Sequence, residues 1–107
     1  MPSDIAEHPI AVRFREALDR IYGDGLERVV LYGSRARGDA RPDSDWDIAV
    51  FLHQQDRFST EAKRLASIET DMLYDTGEVI NALPFRAGSY RDNTGLMHEL
   101  RREGVDL

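Results

Sequence analysis

At 107 residues, with 14 basic and 20 acidic side chains and a net charge of -6, the chain has the size of one domain and the wrong charge for tight nucleic-acid binding by counterion release. It contains no cysteine, which excludes a disulfide framework and any thiolate metal site and fits a reducing compartment. No stretch approaches the roughly 20 apolar residues of a membrane span. The opening "MPSDIAEHPI" lacks the basic start and apolar run of a signal peptide.

The chain therefore reads as a soluble, cytoplasmic protein with one domain over 1–107 and no membrane or direct nucleic-acid partner. A domain this small buries one sheet with helices and has no second lobe to grip a large substrate.

After the polar start, Pro9 suits a first helical turn, and Ile10, Phe14, Leu18 and Ile21 recur at helical spacing until "YGDG". Leu26 to Tyr32 is β-branched and apolar and reads as a buried strand ending at Gly33. Ser34 is the expected N-cap of a short helix through Ala36 and Arg37 that Gly38 ends, and "DARPDS" follows as a loop.

Asp45 to Leu52 is a second strand, and its run "IAVFL" looks covered on both faces, as a central strand would be. "HQQDRFS" breaks it. Ala62, Leu65, Ile68, Met72 and Leu73 then keep helical spacing from Ser59 to about Tyr74, with Gly77 as the stop.

"EVINALPF" is a third strand that Pro84 weakens near its end. "AGSYRDNTG" is a loop, and Leu96, Met97 and Leu100 mark a last helix closed by Gly104. The order α, β, short α, β, α, β, α gives an α/β (α+β) domain with a small mixed sheet of about three strands.

The chemistry concentrates in "LYGSRARGDARPDSDWDIAVFL", residues 31–52. Residues i and i+2 of a strand share a face, so Asp45 and Asp47 project together while Trp46 points away. Two adjacent carboxylates repel unless a cation lies between them, and magnesium takes one or two carboxylates plus nucleotide phosphates. Gly33 admits a close backbone approach, and Ser34 offers a hydroxyl and an amide at a helix start that attracts phosphate. Arg35 and Arg37 are candidates to add positive charge for a triphosphate, set against solvated or Asp-paired roles.

The pattern is no P-loop, since G-x-x-x-x-G-K-[ST] is absent. Trp46 reads as core packing, and His8, His53 and His98 have no ligand spacing. The stripe Leu65, Ile68, Met72 reads as core-facing helix, and "SYRDN" as loop.

Gly33-Ser34, the ten residues 35–44, then Asp45-x-Asp47 resembles the nucleotidyltransferase superfamily related to DNA polymerase β. The stretch "GSRARGDARPDSDWDIAVFL", the "TG" before the third strand and the closing "LRREGVDL" are similar to minimal nucleotidyltransferases, including MntA-type antitoxins of HEPN/MNT toxin–antitoxin modules.

That resemblance implies the polymerase β-like fold and transfer of AMP from ATP to a hydroxyl. Asp45 and Asp47 would hold magnesium, with two ions clamping the attacking and leaving oxygens, and Gly33, Ser34 and Arg37 would meet the phosphates. It also implies a protein partner, a HEPN ribonuclease toxin carrying the acceptor tyrosine.

Many members of the superfamily place a third carboxylate on a later strand. Here that strand carries Asn81, which cannot act as a base, while Glu78 falls on the opposite face. Asn81 thus favours an alternative, a catalytically silent antitoxin that acts by binding alone. A small-molecule acceptor would need a pocket formed across an oligomer interface.

Overall fold

The computed structural model of the chain describes residues 4–53 and 57–107. The elements in order are α1 (Pro9–Tyr22), β1 (Leu26–Tyr32), α2 (Ser34–Arg37), β2 (Trp46–Leu52), α3 (Phe58–Thr76), β3 (Ile80–Arg86), α4 (Gly95–Glu103) and β4 (Val105–Asp106). Short 3-10 turns lie at Asp4–Glu7, Gly23–Gly25 and Ser89–Arg91. The break expected after β2 falls partly on residues 54–56, and the polar start on residues 1–3, which lie outside the described residues.

The strands form one mixed four-stranded sheet in the order β3-β2-β1-β4. β1 is antiparallel to both β2 and β4, while β2 and β3 run parallel, which requires the crossover that α3 supplies. Pro84 lies inside β3. It is tolerated because β3 is an edge strand, where one side of the backbone needs no partner.

The fourth strand is the departure from the three expected. Two residues are too few to show a period, and β4 exists because Val105 pairs with Leu31 and Asp106 with Val30.

The sheet has two covered faces. On one, Val29, Leu31, Trp46, Ile48, Val50 and Leu52 pack with Phe14 and Leu18 of α1 and Leu65, Ile68 and Met72 of α3. On the other, Val30, Ala49 and Phe51 pack with Met97 and Leu100 of α4. β2 is therefore buried on both sides, as its continuous apolar run requires. The two helical stripes are narrower than their spacing suggests. Ile21 and Leu73 stand exposed at the margins of the stripes.

Gly104 brings the end of α4 against β1. A Cβ there would meet the Leu100 carbonyl and lie 2.5 Å from Val30 Cγ1. Gly104→Ala is expected to cost about 1–3 kcal/mol through overpacking, measurable as a shifted urea midpoint; an unchanged midpoint would show that the α4–β4 junction gives way freely.

Behind the sheet, the Tyr22 hydroxyl donates to the buried Glu61 at 3.2 Å, and Arg64 pairs with the same carboxylate at 2.8 Å. Burial, then the Glu61 charge and the hydrogen bond to it, push the Tyr22 phenol up to about 12. The fold favours the neutral phenol. Its contribution is fully present below the ordinary tyrosine pKa of about 10 and is lost as pH rises towards 12. Tyr22→Phe is expected to lower stability at neutral pH by about 1 kcal/mol and to flatten the alkaline limb of the melting curve between those values. An alkaline limb identical to wild type would contradict this.

Candidate active site

The site forms where β1 ends, α2 begins and β2 starts. Gly33 takes φ +76° and ψ -157°, a conformation that glycine adopts without steric cost. It turns the chain out of β1, and its carbonyl accepts from Arg37 N at 3.1 Å.

This makes Gly33 the N-cap, one position earlier than the cap expected at Ser34, which becomes the first helical residue. The reason is the positive φ, which places the break in the backbone at the glycine. The amides of Ser34, Arg35 and Ala36 occupy the first turn, where helix geometry provides no internal acceptor.

Asp47 is paired in register with Tyr32 on one side and Asn81 on the other, on the α4 face of the sheet. Asp45 lies one residue before β2 rather than inside it. The two carboxylates still meet: Asn81 Nδ2 donates to Asp45 Oδ2 at 2.8 Å, and Asp45 and Asp47 are close enough to repel.

The approach of Gly33 to Asp47 is tight, for a Cβ on Gly33 would sit 2.6 Å from Asp47 Oδ2. The Gly33 turn and the Asp47 carboxylate thus lie against each other.

Charge in this surface is unbalanced. Burial is the largest cause raising the Asp47 carboxyl above its ordinary range; the Asn81 amide draws it back, and the charges of Asp45 and Glu99 push it up again. Burial likewise raises the Tyr32 phenol, with Asp47 and Glu99 adding to it.

Arg37 also reaches Asp47 electrostatically, but its guanidinium is engaged by Asp39 at 3.3 Å and Glu103 at 3.6 Å. Two hard oxygen donors with residual repulsion suit a magnesium ion. Among the described residues no group of three or more acidic or histidine side chains is assembled, and two carboxylates match what magnesium uses when phosphates complete its shell.

Arg35 departs from its expected candidacy. Its side chain is only 11% exposed and turns to the back of the sheet, pairing with Glu78 at 3.6 Å, so it does not face the phosphate turn. Trp46 is fully buried, as expected for a residue alternating with the carboxylates, and Glu78 lies on its side of the sheet.

Glu99 is the group the sequence reading missed. It lies one turn before Glu103 on α4, and the signal available was that i,i+4 acidic pair in "HELRREG".

The polymerase beta nucleotidyltransferase family model matches residues 21–105. The chain belongs to that family. It is a nucleotidyltransferase, and the matched span takes in every element of the site. Among solved structures, a minimal nucleotidyltransferase superposes with a TM-score of 0.61 at 25% identity, covering 98% of this chain and 97% of that one. A toxin-antitoxin crystallised with AMP-PNP gives 0.60 at 16% identity, over 88% and 69% of the two chains. The toxin-antitoxin MntA-HpeT, in a mutant form, gives 0.64 at 15%, over 89% and 69%. No curated protein matches the sequence. Within the family, then, the polymerase β-like fold expected from Gly-Ser and Asp-x-Asp is present, with four strands. Among the described residues no helix is long and apolar enough to cross a membrane.

Proposed function

We propose that the chain is a cytoplasmic antitoxin that transfers AMP from ATP to a hydroxyl, a tyrosine, of a HEPN ribonuclease toxin and thereby neutralises it. The observation that carries this reading is the contact of Gly33 with Asp47, which sets a phosphate-binding turn against a carboxylate pair. The likeness to toxin-antitoxin structures, one of them with AMP-PNP, supports the nucleotide and the partner.

Asp45 and Asp47 would hold magnesium, two ions in the full complex, and the metal would supply positive charge against the triphosphate. Gly33 and the first-turn amides, with the Ser34 hydroxyl, receive the phosphates. Arg37 exchanges Asp39 and Glu103 for a phosphate oxygen. The acceptor hydroxyl loses its proton to solvent as its oxygen bonds to the α-phosphorus, the bond from that phosphorus to the oxygen bridging to the β-phosphate breaks, and pyrophosphate departs.

The second reading, a silent binding antitoxin, is favoured by Asn81. It stands in register with Asp47 and spends its amide on Asp45, where a base would need a carboxylate.

Intact-mass measurement of the chain co-expressed with the product of its adjacent gene, then incubated with ATP and magnesium, separates the two. Added AMP on the partner gives the adenylylating antitoxin. A tightly bound, unmodified partner gives the silent one.

A further inference from the structure

Asp45 has an awkward place in the fold. It lies just outside both ladders of β2, whose pairings begin at Trp46 with Ile80 and end at Asp47 with Tyr32. The loop before it runs through a turn closed by Ser44 N to Arg41 O at 3.0 Å. Backbone bonding to the β3 side holds the peptide after Asp45, where Trp46 N donates to the Val79 carbonyl at 2.9 Å, but not the peptide before it, whose carbonyl belongs to Ser44.

Arg35 supplies what the ladder does not. Its Nε and Nη2 both donate to the Ser44 carbonyl, at 3.1 and 2.8 Å, and Nη2 reaches the Pro42 carbonyl at 3.3 Å. The guanidinium lies over the Trp46 ring, 4.4 Å from its centroid. Glu78 holds both members of that stack, 3.6 Å from Arg35 Nη2 and 3.3 Å from Trp46 Nε1.

Arg35 also directly follows Ser34, so one short segment carries the phosphate turn on the front and grips the approach to Asp45 from behind. We infer that Arg35, backed by Glu78 and Trp46, is the positioning residue that sets Asp45 beside Asp47 for cation binding. This rests on the reading of Asp45 and Asp47 as the cation ligands.

An arginine that only glued the loop would lower thermal stability and leave cation affinity alone. A positioning arginine changes affinity in folded protein, as partners behind metal ligands do, by about ten- to a hundredfold. Lysine keeps the charge but has neither the fork nor the planar stack, so Arg35→Lys isolates the geometry.

The experiment titrates Mn2+ into the full chain, following free Mn2+ by its paramagnetic resonance, for wild type, Arg35→Lys, Glu78→Gln and Asp45→Asn, with melting curves on each. The expected result is a ten- to hundredfold weaker affinity in Arg35→Lys, a smaller weakening in Glu78→Gln, and the largest loss in Asp45→Asn. Folded Arg35→Lys with wild-type affinity overturns the inference while leaving the site reading intact. Should Arg35→Lys fail to fold, unchanged affinity in Glu78→Gln overturns it equally. If wild type takes up no Mn2+, or Asp45→Asn binds it as well as wild type, the site reading itself falls, and the positioning role with it.

Discussion

Replacing Asp45 and Asp47 together by asparagine is expected to cut magnesium-dependent transfer on the order of 10³-fold or more while leaving the metal-free fold as stable as wild type or more so. Both halves follow from one electrostatic fact. On the proposed function, the pair concentrates negative charge where a cation would sit, and without the cation that concentration is a burden on the fold.

Burial, and then the neighbouring charges of Asp45 and Glu99, raise the Asp47 carboxyl against the pull of Asn81. A raised carboxyl means the fold favours its protonated form, so stability is lost as pH rises through the folded pKa. The melting temperatures of wild type and the double variant should therefore converge as pH falls into the carboxylate range and separate at neutrality, with the variant at least equal. Asparagine keeps the shape of each side chain, which makes this a test of charge rather than packing. Transfer at the wild-type rate would show that the reacting centre lies elsewhere.

The legibility of this molecule in its sequence was uneven for identifiable reasons. β2 declared itself because both faces of the sheet are covered, leaving an unbroken run from Ile48 to Leu52. The candidate site was legible because Gly33 and Asp47 are chemically singular at their spacing. Their direct contact was not, since it depends on the register of β1 on β2.

β4 was hidden because its two residues follow a helix and take their partners from a strand over 70 positions earlier. Arg35 was misjudged for a related reason: side-chain direction at a four-residue helix is set by tertiary partners, here Trp46 and Glu78, and no period in the sequence reports it. Glu99 reaches the site only because Met97 and Leu100 dock α4 on the same face of the sheet as Asp47.

That face is acidic, and this bears on how a nucleotide can arrive. Arg37 is paired with Asp39 and Glu103, so a bare triphosphate would meet the charges of Asp45, Asp47 and Glu99 before Arg37 has exchanged those partners for a phosphate oxygen. A triphosphate carrying its own magnesium brings the missing charge. On the proposed function, the arrangement would favour the metal complex of the nucleotide on electrostatic grounds.

Gly33→Ala is the second change with a large expected effect, and Gly38→Ala is its internal control. Both glycines adopt positive φ, +76° and +86°, but Gly38, at ψ 13°, lies in the left-handed helical region, where alanine costs about 1–2 kcal/mol, and Gly33, at ψ -157°, lies in a region essentially confined to glycine, where strain runs to about 1–3 kcal/mol. They differ in what a side chain would meet. At Gly33 the new methyl would lie 2.6 Å from Asp47 Oδ2 and 3.5 Å from its Cγ, whereas at Gly38 nothing lies within 4 Å.

The clash at residue 33 is relieved by swinging the Asp47 carboxylate away or by moving the turn off the sheet, and either displaces half of the site by about an ångström. Misplacement of that size costs roughly 10²-fold in rate. The expected result is a fall in melting temperature for both variants, larger in Gly33→Ala, with transfer, measured where both are folded, reduced about a hundredfold in Gly33→Ala and held within a few fold of wild type in Gly38→Ala. Equal losses of activity would trace the effect to the backbone of α2 and remove the Gly33–Asp47 contact from the argument. A hundredfold gap in folded protein would tie the rate to the place where the Gly33 turn adjoins Asp47.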